Sequence, residues 1–168
     1  MVSKMRNKST KLSSAPDMNG SPHTLVVTGA GIRAANLTRA LRKFQTEQAT
    51  VAKLFAKHIK LEEAIAFVKK TRIGIAIGTP TRLINLLDED HGGVVSIFQV
   101  KLTSAATAGV LSLENLQRLV VDCSHIDQKR RGILDMSETQ NPLIELLNRQ
   151  GLKERYAASE KGVDLLFY

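Results

Sequence analysis

The sequence predicts an α/β fold of three layers around a parallel sheet, and three observations carry that prediction. Ile73–Glu89, IGIAIGTPTRLINLLDE, passes from a short β-branched, Gly- and Ala-rich stretch straight into an amphipathic helix. A strand with no polar alternation suits a position covered on both faces, as parallel strands are. The strand-then-helix order recurs at Thr24–Phe44 and at Thr50–Lys70, and another apolar stretch, Leu119–Asp122, follows. Strands separated by helices need crossovers, which are right-handed and leave the strands parallel.

Taken in order, Met1–His23 holds Lys4, Arg6, Lys8 and Lys11 among Ser, Asn, Pro and Gly, with Asp17 its one acid. It lacks apolar periodicity and reads as a disordered basic arm. Its basic, Ser-rich composition also fits a mitochondrial presequence, although an amphipathic helix is hard to draw through it. One domain then covers residues 24–168. Thr24–Thr28 is the first strand, Gly29-Ala-Gly31 the turn, and Ile32–Phe44 a helix with Ile32, Leu37, Ala40, Leu41 and Phe44 inward. The opposite face of that helix carries Arg33, Arg39, Arg42 and Lys43. Thr50–Phe55 is the second strand and Leu61–Lys70 the second helix, with Leu61, Ala64, Ile65 and Val68 inward.

Ile73–Ile77 forms the third strand, which Gly78-Thr79-Pro80 stops. Pro is tolerated in the first helical turn because its missing donor would be unpaired there, and Thr79 can cap the open amides. On the helix Pro80–Asp88, Leu83, Ile84, Leu86 and Leu87 make the apolar stripe, with Arg82 and Asn85 off it and Arg82 exposed. Helices are also expected around Leu113–Leu116 and at Glu138–Asn148, where Leu143, Ile144, Leu146 and Leu147 pack. Residues 90–110, small and rich in Gly, Ala and Thr, read as a flexible insertion, with an unremoved intron as one source. Val94–Leu102 could alternatively add a strand. The apolar end Val163, Leu165, Leu166 and Phe167 is expected to dock on the domain or on a partner.

At 168 residues the chain can bury a real core, and with 43% hydrophobic but only 4% aromatic residues that core is aliphatic. The net charge of +8 favours a polyanionic partner, nucleic acid above all. Cys123 is the only cysteine, which excludes an internal disulfide. No apolar stretch is long enough for a membrane helix, so no membrane partner is expected.

Gly29-x-Gly31-x-x-Ala34 follows a strand and opens a helix, the setting of a dinucleotide-binding turn. The second strand ends without the acid that would hold a ribose hydroxyl, and Lys57 or Lys60 could instead meet a 2′-phosphate. An NADP-binding reductase is therefore the alternative to a turn facing nucleic acid. No GxxxxGK[ST] occurs, so no loop holds ATP and magnesium. Cys123 with His125 nearby could be read as a nucleophile pair, but a thiol just past an apolar strand is ordinarily inert. His23, His58, His91 and His125 lack metal-ligand spacing, and no metal or cofactor is expected. Asp127, Lys129, Arg130 and Arg131 read as a solvated face or a partner contact.

The order of these pieces resembles the first lobe of DEAD-box helicases. LVVTGAGIRAANL resembles the strand and turn where those enzymes carry PTREL, IAIGTPTRL resembles TPGRL, and LQRLVVDCSH the strand ending in DEAD. TLVVTGAGIRAANLTRAL, VAKLFAKHIKLEEAIAFV, GTPTRLINLL, LVVDCSHIDQKRRGILD and KGVDLLFY together resemble the Cms-type 90S pre-ribosomal complex subunit family. That resemblance implies a degenerate RecA-like lobe, a P-loop-type fold without a functional P-loop. It implies a non-catalytic assembly factor of the nucleus and nucleolus. The implied partners are pre-ribosomal RNA or small nucleolar RNA, and other small-subunit processome proteins. Thr79, Pro80 and Arg82 stand where TPGR grips RNA, with Thr81 replacing Gly, while Thr28, Gly29, Gly31 and Arg33 occupy the other RNA-facing turn. Asp122 holds the first DEAD position, and Cys123-Ser124-His125 replace Glu-Ala-Asp, so the Glu that would orient attacking water is absent.

Overall fold

The computed structural model describes residues 12–55, 59–88, 110–158 and 162–168. Five parallel strands form one sheet in the order β2-β3-β1-β4-β5: β1 Thr24–Thr28, β2 Thr50–Leu54, β3 Ile73–Gly78, β4 Arg118–Asp122 and β5 Asp164–Phe167. The helices are α1 Gly31–Leu41, α2 Leu61–Lys70, α3 Pro80–Leu87, α4 Ser137–Leu147 and α5 Gln150–Tyr156. The three-layer parallel α/β class read from the sequence is the observed one.

The layers are unequal. Leu25, Val27, Leu119 and Val121 join Leu83, Leu86, Leu143 and Leu152 in the larger core, on the face that α2 to α5 cover. Val26, Ile75, Ile77, Val51 and Phe55 pack on the other face, with Ala34 of α1. Strand alternation sends neighbouring residues to opposite cores, so β1 is buried at every position, with Leu25, Val26 and Val27 apolar at its centre. Helix chemistry agrees with its setting: α2 places Glu62 and Glu63 in its first turn and Lys69 and Lys70 in its last, complementing the macrodipole.

Several expectations need correction or refinement. The expected docking of the tail on the domain takes the form of a fifth strand, with Leu119 opposite Leu165 and Val121 opposite Phe167. α5 precedes it, and no helix forms around Leu113–Leu116. That turn is held instead by Arg155, which donates to the carbonyls of Leu113 and Leu116. In α1, Ala34 and Thr38 are the buried positions, whereas Ile32 is 55% exposed. Ile144 of α4 is exposed as well, while Leu143 and Leu146 are buried.

Residues 12–23 are also not a free arm. Gly20 donates to the Thr71 carbonyl and accepts from Ser112, His23 donates to Gly74, and Arg72 donates to the carbonyls of Ala15 and Pro16. Gly20 holds φ +66°, in the left-handed region where a side chain is strained. Residues 1–11 lie outside the described residues, as do 89–109. The chain re-enters at Leu111, whose amide donates to Leu86 of α3 at 3.0 Å. The two flanks of residues 89–109 therefore lie side by side.

His23 ties this strap to the sheet. It is 1% exposed, with Nε2 3.0 Å from the Ser14 carbonyl and Nδ1 2.8 Å from Thr24 Oγ1. A carbonyl only accepts, so Nε2 carries the proton and Nδ1 accepts from the hydroxyl. Burial holds its pKa below 6.5. A depressed folded value means that its stability contribution is complete above the unfolded pKa and is lost as pH falls through the folded one. Melting temperature is accordingly expected to fall between about pH 7 and pH 5, and His23→Gln is expected to flatten that slope. Thermal scans of both proteins across this window check it.

Candidate functional site

The carboxyl ends of β1, β3 and β4 finish level, with Val27 opposite Gly78 and Thr28 opposite Asp122. This is the edge of a parallel sheet where ligands sit. At its centre the Asp122 carboxylate is 2% exposed and fully occupied. It accepts from Arg33 Nε at 2.7 Å, Arg33 Nη2 at 3.3 Å, Ser124 Oγ at 2.6 Å and Thr28 Oγ1 at 3.2 Å. Burial pushes the Asp122 pKa up, but the hydrogen bonds from Arg33 and Ser124, with the Arg33 charge, bring it below its ordinary value. Arg33 is correspondingly raised by its hydrogen bond to Asp122. The pair welds the first turn of α1 to the end of β4. Ser124, which also accepts from Arg33 Nη2 at 2.8 Å, was not singled out from sequence. Its spacing of two residues from Asp122 was the available signal.

The other expected site residues have distinct fates. Thr28 is fully buried and turned to Asp122. Gly29 lies under Ile133, whose side chain would be 3.3 Å from a Cβ there. Ile133 thus closes over the turn where a pyrophosphate would need to approach, against the dinucleotide alternative. Gly31 opens α1 behind Ala30, whose side chain makes no cap. The amides of the first turn are left open, since a helix's first donors have no internal acceptor. Thr79 is the N-cap of α3, yet its hydroxyl makes no capping bond, and Pro80 at N1 is buried.

Arg82 is the clear correction. Rather than standing off the apolar stripe, it is 8% exposed, with Nη2 donating to the Ile59 carbonyl at 2.9 Å and Nη1 buried without a partner. Arg33 and Arg82 therefore serve separate internal contacts instead of standing free together. Cys123 is half-buried, and burial, followed by the Asp122 charge, pushes its thiol pKa up, which disfavours the thiolate a nucleophile needs. Among the described residues no cluster of His, Cys, Asp and Glu has metal-site geometry, and no helix is long and apolar enough to cross a membrane. His58, His91 and Lys57 lie outside the described residues.

Comparison with known proteins decides the lineage. The family profile described as CMS1, a U3-containing 90S pre-ribosomal complex subunit, matches residues 1–105 and 93–168. The chain belongs to the CMS1 family. It is 53% identical to Protein CMS1 of Chaetomium thermophilum over 167 residues, covering 99% of this chain and 59% of that protein. It is 30% identical to Protein cms1 of Schizosaccharomyces pombe over 150 residues (89% and 46%), and 30% identical to human Protein CMSS1 over 123 residues (73% and 37%). The chain thus spans roughly a third to three-fifths of the length of these CMS1-family relatives. The yeast DEAD-box splicing factor Prp28 matches with a TM-score of 0.60 at 17% identity, over 94% of this chain and 30% of that one. The fold is that of a RecA-like helicase lobe.

Proposed function

We propose that this CMS1-family domain is a non-catalytic assembly module of the 90S pre-ribosome, acting in the nucleolus. In this reading it holds pre-ribosomal or small nucleolar RNA, beside other processome proteins, along the carboxyl edge of its sheet. The observation that carries the reading is the occupied Asp122. Its oxygens are spent on Thr28, Arg33 and Ser124, which leaves it a structural anchor rather than a seat for metal and nucleotide. The same bonds tie down the first turn of α1, whose open amides, beside the partly exposed Arg33 side chain, are offered to a phosphate. Thr79 and the α3 amides form the second contact, and Gly29, Pro80 and Arg82 shape the edge. The excess of Lys and Arg adds attraction that weakens with salt.

The test uses the two helix starts. Ala30→Asp with Thr79→Asp improves both N-caps, so stability should hold or rise by up to about 1 kcal/mol. The added charges oppose phosphate. Affinity for single-stranded oligouridylate is expected to fall at least about tenfold, with a shallower salt slope. Unchanged affinity would remove the edge as the RNA surface. The same protein is expected to show no RNA-stimulated ATP hydrolysis, and saturable, magnesium-dependent turnover would overturn the non-catalytic reading.

A further inference from the structure

A second surface adjoins that edge and reaches from Gly31 and Ile32 along α1, where the helix leaves the face of β2 open. Two adjoining cavities of about 430 and 340 Å³ share Thr38, Arg42, Lys53 and Ile59, so they form one continuous groove. Apolar side chains, Ile32, Phe55 and Phe67 among them, line it. Its charged lining consists of Arg39, Arg42 and Lys53, with no acid; Glu47 stands in the next recess beyond Gln45. Among the described residues none of these three cations has an ionic or hydrogen-bonding side-chain partner.

β2 is the sheet's terminal strand and pairs only with β3. Among the described residues no strand pairs with its outer edge, which offers its backbone groups to an added strand. Val51 and Phe55 pack on the α1 side and Lys53 lines the groove there, so every second residue of β2 faces it.

We infer that this groove takes an extended segment of a partner protein, added as a strand beside β2, with carboxylates alternating with apolar residues. Main-chain hydrogen bonds to β2 would hold the segment. Its acids would pair with Lys53, Arg42 and Arg39, the arginines through bidentate geometry, and its apolar residues would fill the floor. Charge rules against the chain's own start, since residues 1–11 hold Lys4, Arg6, Lys8 and Lys11 and no acid. Lysine on an edge also discourages pairing with a second copy. Phe67 is 40% exposed in the groove and Phe55 9%, so the oligouridylate arm of the test below distinguishes RNA from peptide.

A random-peptide phage library panned on the full chain tests the inference. Enriched peptides should alternate Asp or Glu with apolar residues and, once synthesised, should slow hydrogen exchange at the Val51–Leu54 amides. Arg39→Glu with Arg42→Glu and Lys53→Glu should weaken them at least about tenfold at unchanged melting temperature. Thr79→Asp, at a residue outside the groove lining, should leave peptide binding intact, which separates this surface from the α3 end of the carboxyl edge. No enrichment, peptides without acids, or binding indifferent to the triple reversal would overturn it. So would a triple variant that loses oligouridylate while no peptide responds, for the groove would then be an RNA surface.

Discussion

Arg33→Ala is expected to destabilise the domain by about 2–3 kcal/mol at neutral pH, below the full cost of breaking a wholly buried pair. The discount follows from exposure: the Arg33 side chain is 27% exposed, whereas that of Asp122 is 3%. Removing the guanidinium strands a buried carboxylate with only Thr28 and Ser124 as partners. For a chain of this size the loss corresponds to roughly 5–10 °C in melting temperature. The pH dependence identifies the cause. In the native protein the lowered Asp122 pKa means stability present above the unfolded value of 3.8 and lost as pH falls through the folded one. Without Arg33, burial raises that pKa, and stability is then lost as pH rises instead. The deficit should therefore shrink as pH is lowered from about 7 to 4, and Arg33→Lys should recover part of it. Denaturant titrations at both pH values check this. An equal deficit at each would mean lost packing rather than a stranded charge.

Gly78→Ala is expected to cost about 2–3 kcal/mol or more, by overpacking. A Cβ at Gly78 would lie 2.4 Å from the Leu54 carbonyl oxygen of β2 and 2.9 Å from a methyl of Leu83. Both neighbours are core elements, so neither can move without parting β2 from β3 or displacing α3. Gly151 in α5 provides the opposite control, since nothing lies within 4 Å of its Cβ position. Gly151→Ala should stabilise by up to about 1 kcal/mol through helix propensity. Urea midpoints that shift in opposite directions at constant slope would bear out both expectations. A neutral Gly78→Ala would show that the sheet yields there.

For β1 to β4 and α1 to α4 the sequence was sufficient, because period and punctuation are local. IGIAIG can only be a covered strand, and the Pro80 that follows starts a helix. The family strings were equally local, and they led to the CMS1 family and to a RecA-like layer. β5 was harder, because DLLF is too short to differ from any apolar end; its strand state comes from pairing with β4. The strap at residues 12–23 was missed for a related reason. Its Ser, Gly and Pro composition resembles disorder, yet Ala15, Pro16, Gly20 and His23 are held by contacts with residues far along the chain.

The sequence by itself determined the class of fold, the strand ends that make the edge, and which residues stand there. Tertiary structure alone decided what those residues do. Arg33 and Asp122 are 89 residues apart in sequence and form one ion pair, and Arg82 turns inward to a carbonyl 23 residues away. Helical periodicity reports which face a residue occupies, but a guanidinium reaches far enough to leave that face, and its partner is chosen by how the strands are ordered. Arg39, Arg42 and Lys53 were visible as charges from the start. Only the sheet order β2-β3-β1-β4-β5 brought them to one groove beside an open edge.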